Sequence, residues 1–487
     1  MNIKSKKNYF IPISFWACFL LISLKVVGQE IVAEKGSFGI DKAKKMIVWH
    51  VSNIDSLRSE SKSISQLKFN DSFRIVNSSN SFTYAAPVPL IYEGVKYKLF
   101  ITKLPLVHIN LDASTINENR KIFGHFSYFN VRRYVESAMG IRHRGNLSLT
   151  YPKKSFDIEF WTDSISKKSK DLKFKGMRSD DDWILDGLYN EPLRLRSTLA
   201  TRLWTKMYKP YYLEKEPKAK SGFDVKFVEL FKNQNYYGIY ALSESVDRKQ
   251  LQLKEHEDKI ILGELFKAES YEGAPAFQKV PEYDNLFPHW GGFQMRYPMI
   301  DYRAHWNDLA ILSNLVVKGS DEEFMEKIES QIHIGNTIDY YLLVNLFRAT
   351  DNLGKNYFLG RYDKAEPYFF VPWDLDGVFG IIQEGKRIPT TNDILSNGLF
   401  DRLLKLNPNG YKDKVKLRWK VLRESNFSNQ ELTKSIAKIY DQFTAEKLYD
   451  REQLAWPSNL NNENHYEYLK KWLNDRLLFL DAHFKNL

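Results

Sequence analysis

Asp351 and Asn356 stand five apart in a polar, glycine-containing loop between apolar segments, and Asp374 and Asp376 follow an aromatic run ending in Pro372-Trp373. Side chains of these types at this spacing suit phosphoryl transfer. An Asp can orient or deprotonate a hydroxyl, an Asn five residues on can hold a divalent metal, and a later Asp beside glycine can hold the same metal against phosphate oxygens. Asp, Asn and Gly are also what an ordinary turn favours. The choice between these readings depends on whether the rest of the chain supplies groups for a phosphate.

The elements upstream offer several. In Lys153–Phe160, Phe156, Ile158 and Phe160 share one face of a strand, and Ser155, Asp157 and Glu159 share the other. Lys154 has the parity of the apolar face, where an ammonium needs an anionic partner, unless it lies at the strand end and reaches water. Before it, Arg144, Gly145 and Asn146 form a turn. A helix is expected from Pro192 to Lys206, with Pro192 at its first position, Asn190 or Glu191 as cap, and Arg196 as its one arginine singled out for function. Asp224–Phe231 and Tyr236–Leu242 read as a hairpin, with Glu244 just past its end. The Pro- and Gly-rich residues 271–298 read as a loop insertion or lid.

Helical spacing dominates from Trp306 onward. Leu309, Leu312, Leu315 and Val316 mark one helix, and Ile338, Tyr341, Leu342, Asn345 and Leu346 mark a second that leads into the loop at Asp351. The chain is expected to be helical from Gly380 to its end, where Leu469, Trp472, Leu473, Leu477, Leu480 and Phe484 form a stripe suited to core packing. Residues 29–103 read as a β-rich region, with strand-like runs at Met46–His50, Phe73–Val76 and Tyr97–Thr102 and a Ser/Asn-rich turn at 77–81.

Composition narrows the class. The chain has 487 residues, 43% of them hydrophobic, which is a globular and not a disordered balance. Residues 1–28 have the layout of a secretory signal peptide: Lys4, Lys6 and Lys7, an apolar run from Ile11 to Leu24, and small residues before Gln29. The apolar run is short for a membrane anchor, and Lys25 interrupts its end. The only cysteine, Cys18, lies inside this segment, so disulfides and thiolate metal sites are excluded from the mature chain. Export without disulfides fits a bacterial envelope, with the periplasm, the cell surface or the medium as destination and no stable transmembrane span after cleavage. Four of the +11 formal charges belong to Lys4, Lys6, Lys7 and Lys25, which leaves +7 scattered among acids. That balance suits anionic ligands without calling for nucleic acid. HExxH, paired cysteines and a GxSxG elbow are all missing from the sequence, which weakens zinc-enzyme and serine-hydrolase readings.

Several of these pieces together resemble one family. They are His143-Arg144-Gly145-Asn146-Leu147-Ser148, Pro152-Lys153-Lys154-Ser155-Phe156, Tyr237-Gly238-Ile239-Tyr240 with Glu244, Asp351 to Asn356 with Tyr357, and Pro372-Trp373-Asp374-Leu375-Asp376. In combination they resemble the spore-coat-protein-H (CotH) kinase family from about Leu104 to the C-terminus. The resemblance implies an α+β chain: an atypical, diverged protein-kinase-like fold with a β-rich N-terminal region and a helical C-terminal part. Its segments would be a β-rich nucleotide-binding part over 104–270, the insertion at 271–298 and a mainly helical catalytic part over 299–487. It also implies ATP and Mg²⁺ or Mn²⁺ as cofactors and a protein substrate with a Ser or Thr acceptor.

Carried over by residue, Asp351 resembles the catalytic-loop Asp, Asn356 and Asp374 resemble metal ligands, and Asp376 matches the second acid of the Trp-Asp-x-Asp pattern, both acids falling on one strand parity. Lys154 resembles the phosphate-binding lysine, with Lys153 as the fallback. Arg144, Gly145 and Asn146 would lie over the nucleotide, Glu244 near its pocket, and Arg196 would add a positive contact. Two departures bear on the cleft: Leu147 stands where the family commonly has Ser, and the long Tyr271–Pro298 segment could alter it. Neither removes an acidic ligand, so the resemblance implies a competent enzyme. An inert nucleotide-binding or scaffold protein and a kinase acting on a glycan or small molecule stay open as alternatives.

Overall fold

Strands between residues 106 and 243 close into a seven-stranded barrel in a computed structural model of the chain, in the order 122–130, 133–144, 155–161, 182–186, 235–243, 225–232 and 106–110. The structure describes residues 29–487 except 61–63, 77–81, 113–115, 132, 302 and 458–462. The expected signal peptide, Cys18 and the Ser/Asn turn at 77–81 lie outside the described residues. Inward-facing Ile109, Phe126, Met139, Ile158, Phe160, Leu230 and Leu242 fill the barrel, as period-two patterning requires. The expected hairpin is present as Val225–Lys232 and Asn235–Ser243. Asn233 and Gln234, at φ 46° and 63°, make its two-residue turn, the left-handed pair that matches strand twist.

The N-terminal region is a seven-stranded sheet in which Met46–His50 is buried along its whole length. Ile47 and Trp49 face the sheet's own core, whereas Met46 and Val48 pack with Phe100 against Leu106, Phe231 and Tyr236 of the barrel.

A five-stranded sheet carries the second half, in the order His289–Trp290, Phe293–Tyr297, Glu264–Glu269, Lys355–Arg361 and Tyr368–Pro372. Of the segment expected to be a loop insertion, 271–288 has no helix or strand, but 289–297 supplies two strands of this sheet. Phe293 and Met295 alternate inward on a strand paired with Glu264–Glu269, and Ala274, Phe277 and Trp290 join the same core. The helix Ile334–Phe347 is buried at every position from Asn336 on. Asn336 Nδ2 donates to Phe370 O at 3.0 Å and its Oδ1 accepts from Phe370 N at 2.6 Å, locking the helix to the edge strand. The chain from Ile381 to Asn397 has no helix; helices resume at Gly398 and continue to Lys485. The fold is α+β with a β-rich N-terminal region.

Glu264 sits 1% exposed in this sheet, ion-paired to Arg361 at 2.8 Å and accepting from the Tyr368 hydroxyl. Burial pushes its carboxyl up to about 7 from 4.5 in spite of both partners. A carboxyl raised by folding stabilises the fold fully below its unfolded value and loses that contribution as pH rises through its folded value. The melting temperature should therefore fall between pH 5 and pH 8, and a Glu264→Gln variant should show a flatter profile over the same range in a thermal scan.

Candidate active site

A cleft of about 730 Å³ lies between one end of the barrel and the adjoining end of the five-stranded sheet. Strand pairing explains what converges there. Arg144 pairs with Ser155 across the hairpin that carries Gly145, Asn146 and Lys153, and the neighbouring strand ends at Asp186. Ser155 Oγ donates to Asp186 Oδ1 at 3.0 Å, tying these two strand ends together. Gly145 has φ 105°, and a Cβ there would run into Ser148 Oγ, so the tight turn requires glycine.

The opposite wall is built by the helix that ends at Phe347. Arg348 closes it in the left-handed conformation, Thr350–Leu353 form one 3₁₀ turn, and the strand Lys355–Arg361 begins immediately. Tyr357 pairs with Pro372, which places Asn356 beside Trp373, and Trp373 N donates to Asn356 O at 2.9 Å. Asn352, 2% exposed, donates to Asn356 O at 2.5 Å and to Trp373 O at 2.9 Å. It fixes the loop of Asp351 to the turn of Asp374. That turn is not a continuation of the strand, which stops at Pro372; Asp374 has φ 52°. The expectation that Asp374 and Asp376 share a strand parity is corrected here: a left-handed turn, not alternation, brings both to the cleft.

Seven carboxylates line this cleft, Asp186, Asp351, Asp374 and Asp376 together with Glu191, Glu269 and Glu384, alongside Arg144, Lys153, Lys267 and Lys355. Burial raises Asp351 above its usual range, and Lys355 Nζ, 3.1 Å from its Oδ2, opposes the shift. Asp374 is raised by burial and by Asp186, against Arg144, Lys267 and Lys355. Asp376 is raised well above the carboxylate range by burial and by Asp374, Asp186 and Asp351. Among the described residues the Asp374 carboxylate has no hydrogen-bond or ion-pair partner, although it opens to the water of the cleft. Acids that repel one another around an unpartnered carboxylate, with the Asn356 amide beside them, form an oxygen donor set that fits a hard divalent cation such as Mg²⁺ or Mn²⁺. No three of them yet stand within sharing distance of one ion. The only carboxylate trio that does, among the described residues, is Asp171, Asp180 and Asp181 outside the cleft, where Asp180 is ion-paired to Arg178.

Residues 141–480 match the family described as CotH kinase protein. The chain belongs to the CotH kinase family. No curated protein matches it. The matched region takes in every cleft-lining residue and leaves out the N-terminal sheet.

Three positions expected in a CotH nucleotide site fall elsewhere. Lys154 does not face inward: the strand starts at Ser155, and Lys154 Nζ turns to donate to Leu149 O. Of these two neighbours it is Lys153, the fallback, that lines the cleft. Its Nζ, 1% exposed with the rest of the residue, lies 2.5 Å from Glu452 Oε1 and donates to Ile239 O at 2.6 Å. Burial lowers the Lys153 amine to about 7 against the pull of Glu452, whereas Lys153 and Arg194 hold Glu452 below the usual carboxylate range. Arg196 is fully buried at the start of its helix and ion-paired to Glu191; Glu191 lines the cleft, but Arg196 does not. That helix runs Arg196–Met207, four residues later than expected, because Glu191 accepts from Leu193 N and Leu195 N and holds residues 188–194 in a turn. Arg144, Gly145, Asn146, Asp351, Asn356, Asp374 and Asp376 all line the cleft.

Glu244 also lies outside the cleft. It accepts from Arg178 N at 2.6 Å, Asp224 N at 2.9 Å and Gln250 Nε2 at 2.6 Å, and pairs with Lys220 at 2.9 Å. A Glu244→Gln variant should lose about 2 kcal/mol of stability in urea unfolding, as expected for charged hydrogen bonds, with unchanged affinity for any cleft ligand. Asp186, Lys355, Arg194 and Glu452 escaped the sequence reading. Lys355 could have been found, since it sits one residue before Asn356; Glu452 carries no local signal.

Proposed function

We propose that this cleft binds ATP with Mg²⁺ or Mn²⁺ and transfers the γ-phosphoryl group to a hydroxyl, that of a Ser or Thr on a surface or envelope protein, within an atypical kinase-like fold. One observation carries the reading: Asp351, Asn356, Asp374 and Asp376 face a single cleft whose other wall holds Lys153 and the glycine turn at Gly145. The barrel end takes the part of a phosphate-covering lobe, and Lys153 paired with Glu452 matches the lysine–glutamate pair that kinases use to hold phosphates.

Asp351 receives the acceptor hydroxyl. Its raised carboxyl takes the proton as the oxygen attacks the γ-phosphorus and the bond to ADP breaks. Lys355, paired to Asp351, lies where it would offset charge on the phosphoryl oxygens, and Arg144 and the Gly145 turn close over the phosphates. Asp374, Asn356 and Asp376 would hold the metal, which supplies charge neutralisation on the phosphate oxygens. The chemistry of the site is positioning and electrostatics, with no covalent intermediate on the protein. The N-terminal lysines and apolar run support export with removal of residues 1–28; among the described residues no helix is long and apolar enough to cross a membrane.

Incubated with γ-labelled ATP and Mn²⁺ or Mg²⁺, the protein should label itself or a generic acceptor protein, and Asp351→Ala should lower incorporation by about 10²- to 10⁴-fold. A wild type that neither binds ATP nor transfers phosphate with either metal would overturn the reading in favour of a scaffold role.

A further inference from the structure

One short helix, Leu448–Ala455, stands between the N-terminal sheet and the cleft, and two successive residues on it carry opposite buried charges in different directions. Neighbours on a helix point about 100° apart. Glu452 faces the cleft side: besides Lys153 it accepts from Arg194 Nε at 3.1 Å and Ile239 N at 2.7 Å. Gly238 lets it approach, since a Cβ there would collide with the Glu452 carboxylate. Arg451 faces the other way. It makes a two-point pair with Glu229 at 2.6 and 3.0 Å, and Glu229 also accepts from the Tyr236 hydroxyl at 2.6 Å.

The N-terminal sheet grips this same corner. Phe100 lies 5.5 Å from the Arg451 guanidinium, ring against cation. Lys103 N donates to Glu446 Oε2 at 2.8 Å, and Glu446 O in turn accepts from Arg451 Nη1 at 2.5 Å. Asp41 accepts from Tyr236 N at 2.9 Å. Arg451, Glu229, Glu452 and Arg194 are all fully buried, so none can exchange its partner for water without the large penalty of an unpaired buried charge. A shift of the helix on the sheet side must therefore be answered on the Lys153 side. The sheet residues lie before 141, outside the family match.

We propose that residues 29–103 form a positioning module for the cleft, holding the helix Leu448–Ala455 through Phe100 and the Lys103 amide so that Glu452 keeps Lys153 against the phosphate site. The consequence for nucleotide rests on the kinase reading; the mechanical link from Phe100 to Lys153 does not. Phe100 and Glu446 are positioning residues, acting through Glu452.

The test compares Phe100→Leu with Phe73→Leu, a buried substitution in the same sheet whose side chain packs only in the sheet's own core. Both are made in the full chain, and their folded fractions are matched by circular dichroism. The readout is the rate at which an amine-acylating reagent modifies Lys153, followed by peptide mass spectrometry. Phe100→Leu should raise that rate roughly ten-fold over wild type by opening the corner locally, with Phe73→Leu near wild type. Glu446→Gln, which leaves the apolar packing intact, is read in the same way should Phe100→Leu not fold. In steady-state assays the same variants should raise KM for ATP roughly ten-fold, as when the competent fraction falls ten-fold, and Phe73→Leu should not. Equal labelling of Lys153 in the Phe100 or Glu446 variant and in Phe73→Leu overturns the proposal. A wild type that binds no ATP would remove the kinase reading and leave the labelling comparison standing.

Discussion

Asp374→Asn is expected to lower phosphoryl transfer by at least about 10³-fold while raising the melting temperature of the metal-free protein. The rate loss follows from removing a cleft carboxylate that has no protein partner among the described residues, since a lost charge-stabilising contact costs about 10²- to 10³-fold and a lost metal ligand more. The stability gain has its own cause. Burial and Asp186 raise the Asp374 carboxyl, and burial, Asp374, Asp186 and Asp351 raise that of Asp376. Acids raised in this sense contribute stability at low pH and lose it as pH climbs, so at neutral pH the ionised cluster strains the fold, and a neutral amide relieves it. Wild type should recover the difference on adding Mn²⁺, by about 2.7 kcal/mol at a hundred times the dissociation constant; the Asn variant should not. Thermal scans with and without Mn²⁺, alongside the transfer assay, check both halves. A variant that keeps wild-type transfer would remove Asp374 from the machinery.

The second large effect separates two adjacent lysines. Lys153→Met should destabilise the protein by about 3 kcal/mol, the lower end for breaking a buried ion pair, because Arg194 still partly compensates Glu452. It should also abolish detectable transfer. Lys154→Met removes a half-buried side chain bonded only to a backbone carbonyl and should change stability by less than about 0.5 kcal/mol with transfer unaffected. Urea unfolding and the labelled-ATP assay on the two variants give the answer. The reverse ranking would restore Lys154 to the role that strand parity suggested.

That reversal shows which kinds of information a linear sequence carries. Turn chemistry and alternation are local, so the hairpin ending at Ser243, the fill of the barrel strand at Phe156, Ile158 and Phe160, and the approach of a helix to the Asp351 loop could be read directly. Asp351, Asn356, Asp374 and Asp376 were legible as a set because each sits in its own short polar signal. Parity, however, holds only inside a strand. Lys154 lies just before its strand begins and Asp374 just after its strand has ended, and the inference failed at both.

Partners far apart in the chain leave no local trace. Glu452 lies 299 residues from Lys153, and nothing around it distinguishes it from any helical glutamate until the helix Leu448–Ala455 docks on the barrel. Glu244 and Arg196 misled for a related reason: burial with structural partners puts charged side chains near a site without putting them in it. The end of the 271–298 segment shows the opposite failure. The segment's prolines and glycines outweighed the alternation of Phe293, Met295 and Tyr297, which marked a strand.

The central claim is that Asp374, Asp376 and Asn356 hold a metal that seats ATP in this cleft. Isothermal titration of ATP into the protein, with Mn²⁺ and then with chelator, tests it most directly. The account predicts one site per chain that needs Mn²⁺ in wild type and loses that metal requirement together with most of its affinity in Asp374→Asn. ATP binding of equal strength in Mn²⁺ and chelator, or the same Mn²⁺-dependent binding in Asp374→Asn as in wild type, would contradict it.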